Sequence, residues 1–120
     1  MRKVFAVAIT LAAIAAGGSG AVAADAARGK TAYIQYGCWQ CHDFAGEGSI
    51  ATSDGRNIAR TALPLDAFKS FNRTANGAMP PYRAEVISDN DLDNIYAYLQ
   101  TLPAPKAVNE IPLLNEARSQ

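Results

Sequence analysis

The sequence is poor in metal-binding side chains and has no excess of charge of either sign. It contains one histidine, two cysteines and two methionines, and its eleven basic residues are balanced by eleven acidic ones. A structural zinc site takes four ligands, usually Cys or His, and only three such side chains are present. With this balanced charge, nothing in the sequence is basic enough to suggest nucleic acid as a partner. At 120 residues, the chain is long enough for one domain.

Long uncharged runs are confined to the amino terminus. Two basic residues precede the apolar stretch 4–16, and small residues follow it as far as Ala23 and Ala24. This order is typical of a cleaved secretory signal peptide, so we predict that residues 1–24 are removed and that the product is periplasmic. An uncleaved membrane anchor is the alternative, although the Ala, Gly and Ser of its second half gain little from lipid.

Both cysteines and the histidine occur in one segment, Cys38-Trp39-Gln40-Cys41-His42. Two cysteines separated by two residues and followed directly by histidine are the pattern of covalent c-type haem attachment. One backbone turn lets both thiols reach the vinyl groups of the haem, and the imidazole then lies next to the iron. We therefore predict that Cys38 and Cys41 bind one haem c and that His42 is the proximal ligand of its iron.

Two closely spaced cysteines also occur in redox dithiols and in disulfides. A thioredoxin-like redox dithiol needs a strand before the first cysteine, and no run of Val and Ile precedes Cys38. A disulfide between Cys38 and Cys41 would leave His42 without a role. Haem attachment accounts for all three residues.

Met79 is the candidate for the sixth iron position. If Met1 is lost with the signal peptide, Met79 is the only thioether in the chain, and Pro80 and Pro81 hold it in a stiff, extended segment. We predict that Met79 is the distal ligand of the haem iron. A lysine, the amino terminus or an open sixth position are the alternatives, and filling a core gap is the ordinary role of methionine.

Capping signals and apolar periodicity predict helices on both sides of these residues. A first helix is predicted for residues 25–36, where Gly37 ends it. A second begins at Pro64 and ends at Asn76-Gly77, after an irregular glycine-containing loop over residues 43–57.

The last helix follows Ser88 and ends at Pro103, with apolar side chains at spacings of three and four. Gly29 and Tyr33 share one face of the first helix, and we expect the last helix to cross the first there because glycine permits close approach. Three acidic residues near the start of the last helix are interpreted as solvated capping charges rather than a metal site. They are Asp89, Asp91 and Asp93.

Four features combine in this chain: Cys38-Trp39-Gln40-Cys41-His42, Gly29 with Tyr33, Met79-Pro80-Pro81-Tyr82, and Ile95-Tyr96-Ala97-Tyr98-Leu99. Together they resemble the class I cytochromes c, the small soluble monohaem family, over nearly all of the predicted mature chain. The resemblance implies an all-α cytochrome c fold, in which the first and last helices cross around one covalently bound haem. It also implies transfer of single electrons between redox proteins, from a dehydrogenase donor to an oxidase or another cytochrome.

One departure from the family lies in the loop after the histidine. The family often has Gly-Pro-x-Leu there, and the carbonyl of that proline accepts a hydrogen bond from the histidine ring. Here Gly55-Arg56-Asn57-Ile58 takes its place. Arg56 also has a backbone carbonyl, which is able to accept the same bond.

The predicted organisation is a signal peptide at 1–24, a cytochrome c domain at 25–102 and a carboxy-terminal tail at 103–120. The leading functional hypothesis is an electron carrier rather than an enzyme, as a monomer or as a subunit of a complex. One alternative is a haem enzyme or gas-binding sensor with an open sixth position. Another is a tightly bound electron-acceptor subunit of a periplasmic dehydrogenase, whose contact would be made by the apolar residues of the tail; folding back on its own domain or disorder is the simpler expectation for that tail.

Overall fold

The computed structural model describes residues 23–49 and 55–118. The predicted signal peptide up to residue 22, and residues 50–54 of the predicted loop, lie outside this part of the chain. Within it the secondary structure is helical and contains no β-strand. The helices are α1 (Ala26–Gln35), α2 (Trp39–His42), α3 (Leu65–Thr74), α4 (Asp89–Thr101) and α5 (Pro112–Arg118), with a 3₁₀ turn at Val108–Glu110. The predicted all-α fold class is confirmed.

Helix α1 begins and ends where its capping residues predict. The Asp25 carboxylate accepts hydrogen bonds from the backbone N–H groups of Ala27 and Arg28, at 2.8 and 3.1 Å. These bonds satisfy two donors that the first turn of a helix otherwise leaves unpaired. Gly37, with φ of 75°, lies in the left-handed region just after the helix and turns the chain toward α2.

Helix α4 also has a side-chain cap. The Ser88 hydroxyl accepts a hydrogen bond from the Asp91 N–H at 3.0 Å, and the helix stops at Thr101, two residues before Pro103. The predicted helix is therefore confirmed, and its apolar stripe forms the centre of the core. The core residues of α4 are Leu92, Ile95, Tyr98 and Leu99.

The crossing of α1 and α4 is the main contact of the fold, and it depends on Gly29. A Cβ atom added to Gly29 would overlap the Asn94 carbonyl and lie 2.9 Å from the Tyr98 Cβ, so only glycine allows the two backbones to approach this closely. One turn further along α1, Tyr33 is fully buried, and its ring packs against that of Tyr98 with centroids 5.5 Å apart. The predicted contact between the Gly29/Tyr33 face and the last helix is confirmed.

Helix α3 is shorter than predicted at its carboxy end. It begins after Pro64 as expected but stops at Thr74, because Ala75 adopts φ of −51° and ψ of 141° and is extended. The chain therefore leaves the helix two residues before Gly77. Phe68 of this helix is buried in the core, whereas Phe71 is 54% exposed.

The acidic residues at the start of α4 do more than cap the helix. Asp93 forms an ion pair with Lys69 of α3 at 2.9 Å, and Asp89 contacts both Lys69 and Arg73. Asp91 accepts a hydrogen bond from the Tyr36 hydroxyl at 2.8 Å. Asp89 and Asp91 lie in the first turn as predicted, and within the described residues no cluster of side chains suits a metal ion. The structure adds partners from α3 and from the residue after α1, which the prediction did not include.

In the tail, α5 packs against the preceding 3₁₀ turn. Two apolar side chains of the tail are largely exposed: Leu113 of α5 at 76% and Val108 of the 3₁₀ turn at 52%. No helix within residues 23–49 and 55–118 is both long and apolar enough to cross a membrane.

Candidate functional site

The three proximal site residues lie on a single turn of helix. Helix α2 follows α1 after Gly37, and the His42 N–H donates to the Cys38 carbonyl at 3.0 Å. The Cys38 N–H in turn donates to the Tyr33 carbonyl of α1 at 3.1 Å, which ties the turn to the main helix. Cys38 and Cys41 are free thiols. The structure therefore brings together Cys38, Cys41 and His42 as their spacing predicts.

A backbone carbonyl orients the imidazole ring of His42. The His42 Nδ1 atom lies 2.8 Å from the Arg56 carbonyl oxygen. A carbonyl oxygen only accepts hydrogen bonds, so Nδ1 carries a proton, and in the neutral imidazole the lone pair is then on Nε2. The predicted ability of Arg56 to replace the family's proline carbonyl is confirmed, and Nε2 is the nitrogen that is able to bind a metal.

The loop after α2 packs directly on the cysteine turn. A Cβ atom added to Gly55 would overlap the Cys41 carbonyl, so the loop approaches this turn as closely as a backbone without a side chain allows. The Gly48 N–H donates to the His42 carbonyl at 3.0 Å, and Gly55 accepts a bond from the Ser49 N–H at 3.1 Å. These contacts explain the glycines of this loop.

Two tyrosine hydroxyls hold the chain immediately after His42. The Tyr33 hydroxyl of α1 donates to the Asp43 carbonyl at 2.7 Å, and the Tyr98 hydroxyl of α4 donates to the Phe44 carbonyl at 2.9 Å. The crossed helices therefore position the residues next to the proximal site. Sequence reasoning missed both hydroxyl roles, although two tyrosines on the mutually facing sides of α1 and α4 were a usable signal.

Trp39, between the two cysteines, is half-buried and stacks on Phe44. The ring centroids are 4.5 Å apart and the ring planes differ by 11°, which is an offset-stacked geometry. Phe44 is 56% exposed, so one side of this pair faces solvent.

The environment of Cys38 argues against a redox dithiol. Burial raises the pKa of the Cys38 thiol to about 11, with a smaller contribution from Cys41. A reactive dithiol instead needs a lowered thiol pKa, and within the described residues the segment is flanked by helices rather than strands. The dithiol alternative is therefore not supported.

Met79 comes from a separate segment, between α3 and α4, and its side chain is half-buried. Three residues later, Tyr82 packs against the same hydrophobic core as Cys38. The pKa of Tyr82 is raised by burial and by the charges of Cys38 and Cys41. The segment after Met79 and the cysteine turn therefore share one core.

These side chains form a set of donors that suits a covalently attached porphyrin. Two free thiols lie one helical turn apart, and the adjacent imidazole has its Nδ1 bonded to a carbonyl, so that Nε2 is the nitrogen left for a metal. Thioether formation uses the thiols, and iron coordination uses the nitrogen lone pair. The proximal residues present therefore fit a haem.

Comparison with known proteins points in the same direction. The family described as cytochrome c oxidase, cbb3-type, subunit III matches residues 24–99. Cytochrome c-555 of Methylococcus capsulatus is 34% identical over 77 residues, which are 60% of this chain and 62% of that protein. The chain thus aligns with about three fifths of the length of this curated relative. No solved structure shows a significant match.

Proposed function

The chain belongs to the c-type cytochrome family whose members are described as subunit III of cbb3-type cytochrome c oxidase, and from this premise we propose that it is an exported monohaem electron carrier. Proteins of this family hold haem c and transfer electrons. The proposal adds that one haem is bound, that both axial positions of its iron are filled, and that the carrier works between redox proteins in the periplasm.

The proposed proximal half of the site consists of Cys38, Cys41 and His42. The observation that carries the proposal is the bond between His42 Nδ1 and the Arg56 carbonyl, because it makes Nε2 the ligating nitrogen of the neutral ring, beside two free thiols. A carbonyl partner on the far nitrogen also makes a ligating imidazole more electron-donating. The chain thus orients the ring before the metal is bound.

The proposed distal ligand is Met79. Its thioether is the only one in the chain after Met1, and three residues later Tyr82 packs against the same core as Cys38. The prolines at 80 and 81 restrict the backbone that carries it. A thioether ligand favours the reduced form of haem iron, so we expect a positive reduction potential.

Bound haem iron supplies one-electron chemistry by alternating between its ferrous and ferric states. His42 and Met79 would hold the iron, and the Arg56 carbonyl orients the imidazole. If both residues bind the iron, no ligand position would remain for a substrate. The expected activity is therefore electron transfer without bond-making catalysis.

Export is proposed from the amino-terminal pattern. Residues 1–24 have the order of a signal peptide, and the family match begins at residue 24, where the signal would end. The first helix is capped by Asp25, so cleavage after Ala23 or Ala24 would leave the cap in place. We propose residues 25–102 as the haem domain and 103–120 as a tail. The mass of the protein purified from the periplasm tests the cleavage site.

Visible absorption spectra test the axial ligands. The full chain is expressed with export, and the oxidised and reduced spectra are compared with those of a Met79→Leu variant. We expect a c-type reduced spectrum in both proteins, and a weak far-red band from iron–methionine bonding only in the oxidised unsubstituted protein. Carbon monoxide should bind the reduced variant readily and the unsubstituted protein poorly.

The possible results separate the hypotheses. Haem without the far-red band, together with carbon monoxide binding at neutral pH, would reject Met79 ligation and support the haem enzyme or gas sensor. A chain without covalent haem would reject the whole proposal. A reduction potential that is clearly negative would also count against a methionine ligand.

A second candidate function is a subunit within a larger electron-transfer complex. The observation that favours it is the tail, in which α5 packs on the 3₁₀ turn while Leu113 and Val108 remain more than half exposed. Deleting residues 105–120 and measuring co-purification from native membranes and periplasm tests this candidate. Loss of a co-purifying oxidoreductase would support a docking tail, and an unchanged complex or none would reject it.

A further inference from the structure

We propose that Arg73 is a positioning residue for the distal ligand segment, and that it holds Met79 in place by anchoring the chain at Tyr82. This inference rests on the proposed function, since it assumes that Met79 is an iron ligand. It concerns how that ligand is kept in position.

The segment that carries Met79 has few constraints of its own. In the part of the chain that the structure describes, no hydrogen bond involves the backbone of residues 76–81. Two of these six residues are prolines, which have no N–H to donate. Gly77, with φ of 103°, has no atom within 4 Å of the place where a Cβ would lie. The position of Met79 therefore depends on how the two ends of this segment are attached.

Both ends are attached to the last turn of α3. Before the segment, the Ala75 N–H donates to the Phe71 carbonyl at 2.8 Å. After it, the Tyr82 N–H donates to the Asn72 carbonyl at 2.8 Å. The Tyr82 carbonyl accepts from Arg73 Nη1 at 2.9 Å. Arg73 thus completes the attachment at the end of the segment that lies three residues from Met79.

The same guanidinium extends the attachment to α4. Arg73 Nη2 donates to the Asp89 carboxylate at 2.6 Å, so one planar group joins α3, the distal segment and the first residue of α4. Only 21% of the Arg73 side chain is exposed, whereas 67% of the Asp89 side chain is exposed. Arginine is suited to this role because its rigid fork presents donors in two directions at once.

The neighbouring lysine provides a matched control. Lys69 lies one turn earlier on α3, is similarly covered at 23% exposure, and pairs with Asp89 and Asp93. It joins the same two helices, but none of its contacts reaches the distal segment. If both cations only help the helices to pack, replacing either one should affect the iron–methionine bond equally. If Arg73 positions Met79, only the replacement of Arg73 should weaken that bond.

The experiment compares Arg73→Gln, Arg73→Lys and Lys69→Gln with the unsubstituted holoprotein. The first readout is the far-red band of the oxidised protein, and the second is the concentration of imidazole that displaces half of the methionine ligand. Chemical unfolding of each variant is measured in parallel. These readouts report the iron–methionine bond and the global fold separately.

We expect Arg73→Gln to lower the half-displacing imidazole concentration about tenfold, because a charge-assisted bond to the segment is lost. Arg73→Lys should recover part of this loss, since a lysine reaches one of the two acceptors. Lys69→Gln should leave imidazole displacement within about twofold of the unsubstituted protein, whatever its effect on unfolding.

Equal imidazole sensitivity of Arg73→Gln and Lys69→Gln would overturn the positioning role while leaving Met79 ligation intact. If Arg73→Gln does not accumulate, the Arg73→Lys and Lys69→Gln pair decides the question by the same comparison. Absence of the far-red band from the unsubstituted protein is a different result. It would overturn Met79 ligation itself, and with it this inference.

Discussion

The two sides of the candidate haem site are held in different ways. On the proximal side, the carbonyls of His42, Asp43 and Phe44 all accept hydrogen bonds from other parts of the chain. On the distal side, within the described structure, the backbone of residues 76–81 makes none, and it is attached only at its ends. The proximal side is therefore supported along its length and the distal side at two points.

This difference teaches how one small domain supports two kinds of ligand. The proposed proximal ligand is next to two covalent attachment points, and its ring is oriented by the Arg56 carbonyl. The proposed distal ligand is fixed by the attachments at Ala75 and Tyr82 alone. Local opening of a structure occurs where contacts are few, so we expect exchange of ligands on the methionine side.

The largest expected effect comes from adding one methyl group on each side of the site. In Gly55→Ala the new Cβ meets the Cys41 carbonyl, and we expect a loss of about 3 kcal/mol in the free energy of unfolding. In Gly77→Ala the Cβ meets nothing, and only the backbone conformation at φ of 103° resists it, at a cost of about 1 kcal/mol. Denaturant unfolding of the holoproteins measures both values.

The two substitutions should also differ in what they disturb. Gly77→Ala changes the segment that carries Met79, so it should weaken the far-red band at a small cost in stability. We expect Gly55→Ala to reduce the yield of haem-containing protein more than Gly77→Ala does. Equal losses of stability in the two variants would contradict the difference in support between the two sides.

A smaller effect is expected from removing a single proximal hydroxyl. Tyr98→Phe deletes the bond to the Phe44 carbonyl, and we expect about 1 kcal/mol of destabilisation because that carbonyl loses its partner. Tyr96→Phe is the matched control: its hydroxyl bonds to the Leu63 carbonyl at an exposed position, where water replaces the lost donor. Thermal unfolding of both variants measures the difference, and a larger loss in Tyr96→Phe would reject the proximal anchor.

The smallest effect concerns the pH dependence of the distal attachment. The hydrogen bond from Arg73, together with the charge of Lys69, holds the pKa of Asp89 below its ordinary value of 3.8. A carboxyl whose pKa is lowered by folding stabilises the native state above its unfolded pKa, and this contribution is lost as the pH falls through the folded value. Asp89→Asn should therefore be less stable than the unsubstituted protein at neutral pH.

The difference should begin to shrink below about pH 3.8 and disappear once the pH is below the lowered pKa of Asp89 in the folded protein, where the native carboxyl is protonated. Chemical unfolding at neutral pH and in this acid range measures it. Because the Asp89 side chain is largely exposed, the effect at neutral pH is expected to be small and to decrease with added salt. A difference that is the same at both pH values would reject the role of the Asp89 charge.

Several elements of this structure could be predicted because their signals are local. The helix caps at Asp25 and Ser88 lie within three residues of the N–H groups they satisfy. The crossing at Gly29 was predictable as well, because Gly29 and Tyr33 share one face of the first helix and the sequence of the last helix shows an apolar stripe that is able to pack against that face. The carboxy end of α3 was predicted too late: the prediction placed it at Asn76-Gly77, whereas the backbone is already extended at Ala75, which is a good helix former by local propensity.

Contacts between distant residues could not be predicted in the same way. The Tyr98 hydroxyl reaches a carbonyl 54 residues away, and the Arg73 guanidinium joins two acceptors on separate segments. Nothing in the local sequence indicates which carbonyl a buried hydroxyl will meet. The acidic residues of α4 show the same limit. Helix-capping rules predict their position at the start of α4, but they do not predict their ion pairs with the cations of α3.

The sequence by itself determined the chemistry of this protein: two thiols and an imidazole at a spacing that one turn of helix brings together, and one thioether available for a sixth position. Covalent spacing and helical periodicity are properties of neighbouring residues, so they can be recognised before folding is known. Only the tertiary structure decided which nitrogen of His42 is free and what supports each side of the site. Those facts depend on the crossing of α1 and α4 and on the loops packed against it, which bring carbonyls and side chains together from distant parts of the chain.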